Sequence, residues 1–261
     1  MRKWLNWVAL VVVFSIACGF LANWQFARRE MRLASIELVE ENYSQPPTSL
    51  AQVLGSQGFA VPEASWRSVS LRGEYLSDLA LLVRNRPNNG QPGFEQVIPF
   101  QTHDGRVVLI SRGWLPTGSR QDSPDFVPKA PSGDLEIVGR LIASEPKFDR
   151  GAPTGQIASI NVDLANQLTK LNAIPNGYLR LVSESSKVPT GVKPMPTPSI
   201  DEGNNLSYAL QWMLFAVMAV LALIWRIRRD RQLASGTKST PVKKSRAKLD
   251  EELEDSVTRA K

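Results

Sequence analysis

Few residues in this chain could do chemistry alone. There is one histidine, His103, and one cysteine, Cys18. His103 lies in Thr102-His103-Asp104-Gly105, between two apolar alternating runs. The Asp-Gly pair there predicts a tight hairpin, because both residues tolerate positive φ, and His103 reads as an exposed turn residue. A Ser-His-Asp relay needs a serine presented on a sharp turn, and no G-x-S-x-G elbow occurs. A lone cysteine excludes an internal disulfide, a C-x-x-C redox pair and a cysteine-based metal site. Neither a Walker-type glycine loop nor a His/Cys metal spacing is present. The carboxylates are scattered, and no glycosidase-like pair stands out. The expectation is a protein that is not an enzyme.

Two other sets of polar side chains are more informative. Asn23-Trp24-Gln25, with Arg28 and Arg29, closes one long apolar run; Asn204, Asn205, Ser207, Tyr208, Gln211 and Trp212 open another. Tyr208 and Trp212 are four apart, and Asn204, Tyr208 and Gln211 fall on adjacent positions of one helical stripe. The two clusters could hydrogen-bond across a helix pair, clasping it or touching a ligand. Alternatively, the rings form an interfacial belt and the polar groups meet lipid headgroups. The belt accounts for Trp24, Tyr208 and Trp212 and less well for Gln25 and Gln211. A third candidate is Arg112-Gly113-Trp114, at the end of a strand. Gly113 could mark a bulge with Trp114 packed under a sheet and Arg112 stacked nearby, or the three residues could contact a partner.

The elements that must position these groups are read from periodicity. Trp4 to Ala22 and Leu206 to Trp225 carry no charge, and each is about the 20 residues a helix needs to cross a bilayer. Arg2 and Lys3 before the first run also suit a signal peptide, but the run is long and lacks an A-x-A site. A lipoprotein box at Cys18 lacks its usual first aliphatic residue. Two spans are therefore expected, at 4–24 and 204–226. Arg226, Arg228, Arg229 and Arg231 follow the second and mark the cytoplasmic side. Residues 1–3 and a charged tail at 227–261 then lie inside, and 25–200 outside the cell membrane. The net charge of +6 gathers at the membrane flanks and tail, which points to the lipid bilayer and not to nucleic acid.

Within the outer region, 31–43 reads as a helix and 49–55 as a shorter one. Period-two patterns predict strands at 66–75, 80–85, 95–101, 106–112, 135–143 and 178–183. Residues 161–171 read as a helix capped by Asn161. The fold class expected is a membrane protein with two transmembrane α-helices flanking an α+β extracytoplasmic domain with a mostly antiparallel sheet. A Pro-rich strut at 188–199 leads into the second span.

NWQFARREMR after the first span, then WRSVSLRGEYL, VLISRGWLP, and LSYALQW opening the second, together resemble the surfeit locus protein one family. The resemblance implies two spans around an outer β-rich domain, and a non-catalytic role in cytochrome c oxidase assembly. Its implied partners are the heme-bearing oxidase subunit and the heme a biosynthetic enzyme, and its implied cofactor is heme a, held transiently. Family members are thought to ligate that heme with a histidine just before the L-x-Y of the second span, where this chain has Asn205. Stacking on Trp24, Tyr208 or Trp212, with Arg28 and Arg29 on the propionates, would be the remaining way to hold it. A membrane-anchored binding or sensing domain unrelated to respiration is the alternative.

Overall fold

The computed structural model describes residues 2–148, 151–186 and 191–236. The expected tail from 237 onward and positions 188–190 of the Pro-rich strut lie outside the described residues. Two units make up the chain: Met1–Glu30 with Gly203–Lys261, and Met31–Glu202.

The first unit contains most of the helix α1 (Arg2–Asn42) and all of α3 (Asn205–Gly236). Both helices are long and apolar enough to cross a membrane. α3 continues to Gly236, beyond the expected end at 226, and α1 continues past 24 without a break. Up to Glu30, the residues of α1 that lose solvent contact include Val11, Ser15, Cys18, Ala22, Gln25 and Arg29; those of α3 include Asn205, Ala209, Trp212, Ala216, Ala219, Leu223 and Ile227. Steps of three and four give each helix one seam. Arg226 lies over the Trp7 ring at 4.6 Å, so the two run antiparallel. Leu10, Val13, Phe14 and Phe20 on α1, and Leu210, Leu214, Val217 and Leu221 on α3, remain exposed.

The second unit holds an eight-stranded sheet. Its strands are β1 (Thr48–Ser49), β2 (Ser68–Tyr75), β3 (Leu81–Val83), β4 (Gly93–Thr102), β5 (Val107–Pro116), β6 (Leu135–Ala143), β7 (Gln156–Ile157) and β8 (Gly177–Glu184). The pairs β1–β2, β3–β7 and β5–β8 are parallel, and the rest antiparallel. The predicted hairpin turn joins β4 and β5. Between Ser49 and Val53 the expected helix shrinks to a 3-10 turn, Leu50–Gln52. The helix α2 (Val162–Thr169) begins as expected, with the Asn161 side chain accepting from Leu164 N.

The pairing β2–β6–β8–β5–β4 returns to β2, so these strands close into a barrel. The closing contact is Gly73 to Tyr75 against Thr102 to Phe100. It requires Gly73, because a Cβ there would stand 1.9 Å from Gln101 O. β4 serves two neighbours on one edge: β3 along Glu95–Val97, then β2 from Phe100. Pro99 sits at the changeover, where the strand is not asked for a ladder N–H. Val69, Leu71, Ile98, Phe100, Val108, Ile110, Ile137 and Leu179 fill the barrel. Val97, Leu109 and Tyr178, on the opposite faces of the same strands, pack against α2 and β7. Both faces of β4 and β5 are therefore covered, which explains their nearly continuous apolar sequences.

Candidate functional site

At the helix pair, the seam collects half of the predicted residues. Gln25, Arg29, Asn205 and Trp212 are half-buried; Trp24 (53% exposed), Arg28, Tyr208 (50%) and Gln211 face away from the seam. Trp212 meets Phe215 edge-on at 5.8 Å, and the Arg28 guanidinium lies 5.6 Å from the Trp24 ring. Gln25 Oε1 is buried without a hydrogen-bond partner. An orphan acceptor between apolar helices costs about 1–3 kcal/mol, and a donor reaching it would recover that cost. Asn204, Tyr208 and Gln211 are all exposed, as one stripe requires, whereas Trp212 lies nearer the seam. α3 turns its small residue, Ala209, into the seam.

In the barrel domain, Arg112 and Trp114 are interior residues, 3% and 1% exposed. The partner contact expected of Arg112-Gly113-Trp114 is thus replaced by contacts within the domain. Gln96 pairs with Gly113 and Val97 with Ser111, which leaves Arg112 as the extra residue of a bulge. Val108, Ile110 and Arg112 point into the barrel, and the bulge shifts the alternation so that Trp114 emerges on the outer face. Gly113 is obligatory: a Cβ would meet Lys193 O at 2.4 Å. Trp114 and Lys193 exchange backbone hydrogen bonds at 2.7 and 2.9 Å, so the Pro-rich segment is fastened to β5.

The two faces carry separate polar networks. Inside, Arg112 donates to Gln96 Oε1 and Glu184 Oε1, each at 3.1 Å, and stacks 5.4 Å from the Tyr75 ring. The Tyr75 hydroxyl donates to Glu184 Oε2 at 3.2 Å. Burial, then the Glu184 charge, pushes the Tyr75 hydroxyl pKa well above its ordinary value. Outside, Arg86 pairs with Glu95 at 3.2 Å and with Glu145. Ser111 donates to Glu95, and Trp114 Nε1 to Arg86 O at 2.6 Å. Tyr75, Gln96, Glu184, Glu95 and Arg86 were not singled out from the sequence. A charge inside an otherwise apolar strand, as at Glu95, was the available signal.

Burial raises the Glu95 carboxyl above its usual range, against the opposing pull of the Arg86 guanidinium and Ser111. A raised carboxyl holds its proton more tightly folded than unfolded, so stability falls as pH rises through that window. The unfolding free energy of the wild type relative to Glu95→Gln should therefore decline from the ordinary carboxylate range upward. Paired denaturant titrations across pH would show it, and a difference growing with pH would contradict it.

His103 stays at the turn, exposed, with Nε2 2.7 Å from Asp134 Oδ1. Among the described residues no His/Cys/Asp/Glu group is arranged to hold a metal ion.

The SURF1 family model matches residues 12–217. A SURF1-like protein of Mycobacterium tuberculosis is 30% identical over 226 residues, covering 84% of this chain and 82% of its own length. A SURF1-like protein of Rickettsia felis is 25% identical, over 84% of this chain and 96% of its own. Surfeit locus protein 1 of Xenopus tropicalis is 25% identical, over 88% and 77%. With apolar helices on both sides of the barrel domain and a family match running from inside α1 to inside α3, this chain belongs to the SURF1 family.

Proposed function

We propose that the protein is a non-catalytic assembly factor for cytochrome c oxidase, acting on the heme-bearing subunit at the membrane. Family membership across residues 12–217 carries this reading, since SURF1 proteins are known generally as cytochrome oxidase assembly factors. The exposed apolar side chains of α1 and α3 call for hydrocarbon, because soluble proteins rarely leave such a surface in water. The arginines at 226, 228, 229 and 231 support a cytoplasmic end of α3, with the barrel outside the cell membrane.

Heme a is the group the family implies. Iron ligation does not fit the residues present: an amide stands at Asn205, and the sole imidazole is on the β4–β5 turn. The reading therefore runs through contact with the client subunit. Trp24, Tyr208 and Gln211 offer exposed groups to a client helix, and Gln25 offers an unsatisfied acceptor in the seam.

Reduced-minus-oxidised spectra of membranes with and without the gene test the proposal. The heme a band should fall while b- and c-type bands persist, and re-expression should restore it. Gln25→Ala combined with Tyr208→Ala should lower the band severalfold while the protein still inserts. A normal heme a band in the deletion strain, with no second family member present, would sink the reading.

A further inference from the structure

The outer face of β6 and β8 carries two arginines side by side. Arg140 and Arg180 are direct partners in the antiparallel register. Like charges placed opposite one another weaken a sheet. Among the described residues, neither arginine has a carboxylate within ion-pair distance. Glu95 lies within electrostatic reach of Arg180 but is already paired with Arg86.

Both guanidiniums are held in place by rings. Arg140 lies 3.7 Å from the Tyr43 ring centroid, and Arg180 5.5 Å from that of Trp66. The two rings are 6.4 Å apart. Trp66 sits at φ 71°, a left-handed conformation that is unusual for so bulky a residue. Such strain persists only where its surroundings enforce it, and it gathers at functional sites.

Stacking leaves the N–H edges of the guanidiniums to be satisfied, and the protein does little for them. Arg140 donates to Tyr43 O and Arg180 to Pro196 O, both at a long 3.4 Å. The Nε of each is buried without a hydrogen-bond partner. The four side chains and the Pro194–Pro198 segment enclose a cleft of about 190 Å³. That is room for roughly six waters at about 30 Å³ each, and it is below the roughly 300 Å³ at which pockets for drug-sized ligands begin. A small, strongly anionic group matches the size, the charge and the missing acceptors. Phosphate supplies oxygens to both planar forks, whereas a single carboxylate fills one.

We propose that Arg140 and Arg180, set on Tyr43 and Trp66, form a binding site for a phosphate group, carried by an anionic lipid headgroup or by free phosphate. The site is independent of what the protein assembles.

The test uses the full chain in phosphatidylcholine nanodiscs, with thermal unfolding followed as inorganic phosphate replaces chloride at constant ionic strength. A ligand that binds only the folded state raises Tm saturably. Arg140→Gln and, separately, Arg180→Gln should each weaken the phosphate response about tenfold or more, as expected for a lost charge-assisted bond. Each should unfold within a few degrees of the wild type without phosphate, since each also relieves the like-charge contact. Nanodiscs containing phosphatidylglycerol separate the sources. If they raise Tm and abolish the phosphate response in the wild type alone, a lipid headgroup fills the site; if the response persists, the ligand is soluble. Equal phosphate response in wild type and variants would overturn the proposal. So would no response, together with the same lipid dependence in wild type and variants.

Discussion

Arg112→Leu should unfold the barrel domain at markedly lower denaturant, with a loss of about 3–5 kcal/mol, the usual cost of removing one partner from a buried ion pair. The Arg112 side chain is fully inaccessible and that of Glu184 nearly so. Truncation would strand the Glu184 carboxylate beside the Tyr75 hydroxyl and leave Gln96 Oε1 without its donor. Removing the charge from both sides should be far milder, because a buried pair replaced by apolar side chains of similar volume is often neutral. The double variant Arg112→Leu/Glu184→Leu should therefore recover much of the loss. Urea unfolding of the full-length protein, followed by circular dichroism, measures both. A single variant within about 1 kcal/mol of wild type, inside the range of ordinary surface changes, would mean that the pair contributes nothing to the interior.

Gly73→Ala is the second large effect expected. Its Cβ would fall 1.9 Å from Gln101 O and 2.8 Å from Gln101 C, both backbone atoms of the partner strand. No rotamer relieves that contact, so β2 and β4 would have to separate where the barrel closes. The cost should reach about 3 kcal/mol, the upper end for overpacking. Hydrogen exchange should show the amide of His103, which donates to Arg72 O at 3.1 Å, losing protection. Gly105→Ala is the matched control. Its φ of 82° carries a left-handed penalty, but nothing lies within 4 Å of the added methyl. It should cost about 1–2 kcal/mol and leave the closing pair protected. Equal protection at His103 in both variants would show that Gly73 is not needed for closure.

The candidate site was partly legible. Gln25, Arg29, Asn205 and Trp212 could be named because polar residues next to uncharged apolar runs stand out. Which of them enter the seam could not be read, since that depends on how α1 and α3 turn toward each other. Arg112 and Trp114 were visible as unusual neighbours, but their destination was not. Arg112 is interior because Glu184, 72 positions away in the chain, awaits it on another strand. A one-residue bulge then sends Trp114 to the opposite face.

Sequence alone determined the local and the one-dimensional features. These are the two apolar helices, the Asp104-Gly105 hairpin, the Asn161 cap of α2, and most strand positions, because each depends on hydropathy period or on turn and cap chemistry within a few residues. Tertiary structure alone decided what needed distant partners. Closure of the sheet rests on Gly73 meeting Thr102, the strut is fastened by Lys193 on Trp114, and Arg140 is set beside Arg180. The alternating pattern of a strand says which side chains share a face. Which strand lies beside it is set by three-dimensional packing, and that choice turned scattered arginines into a buried pair and a cationic cleft.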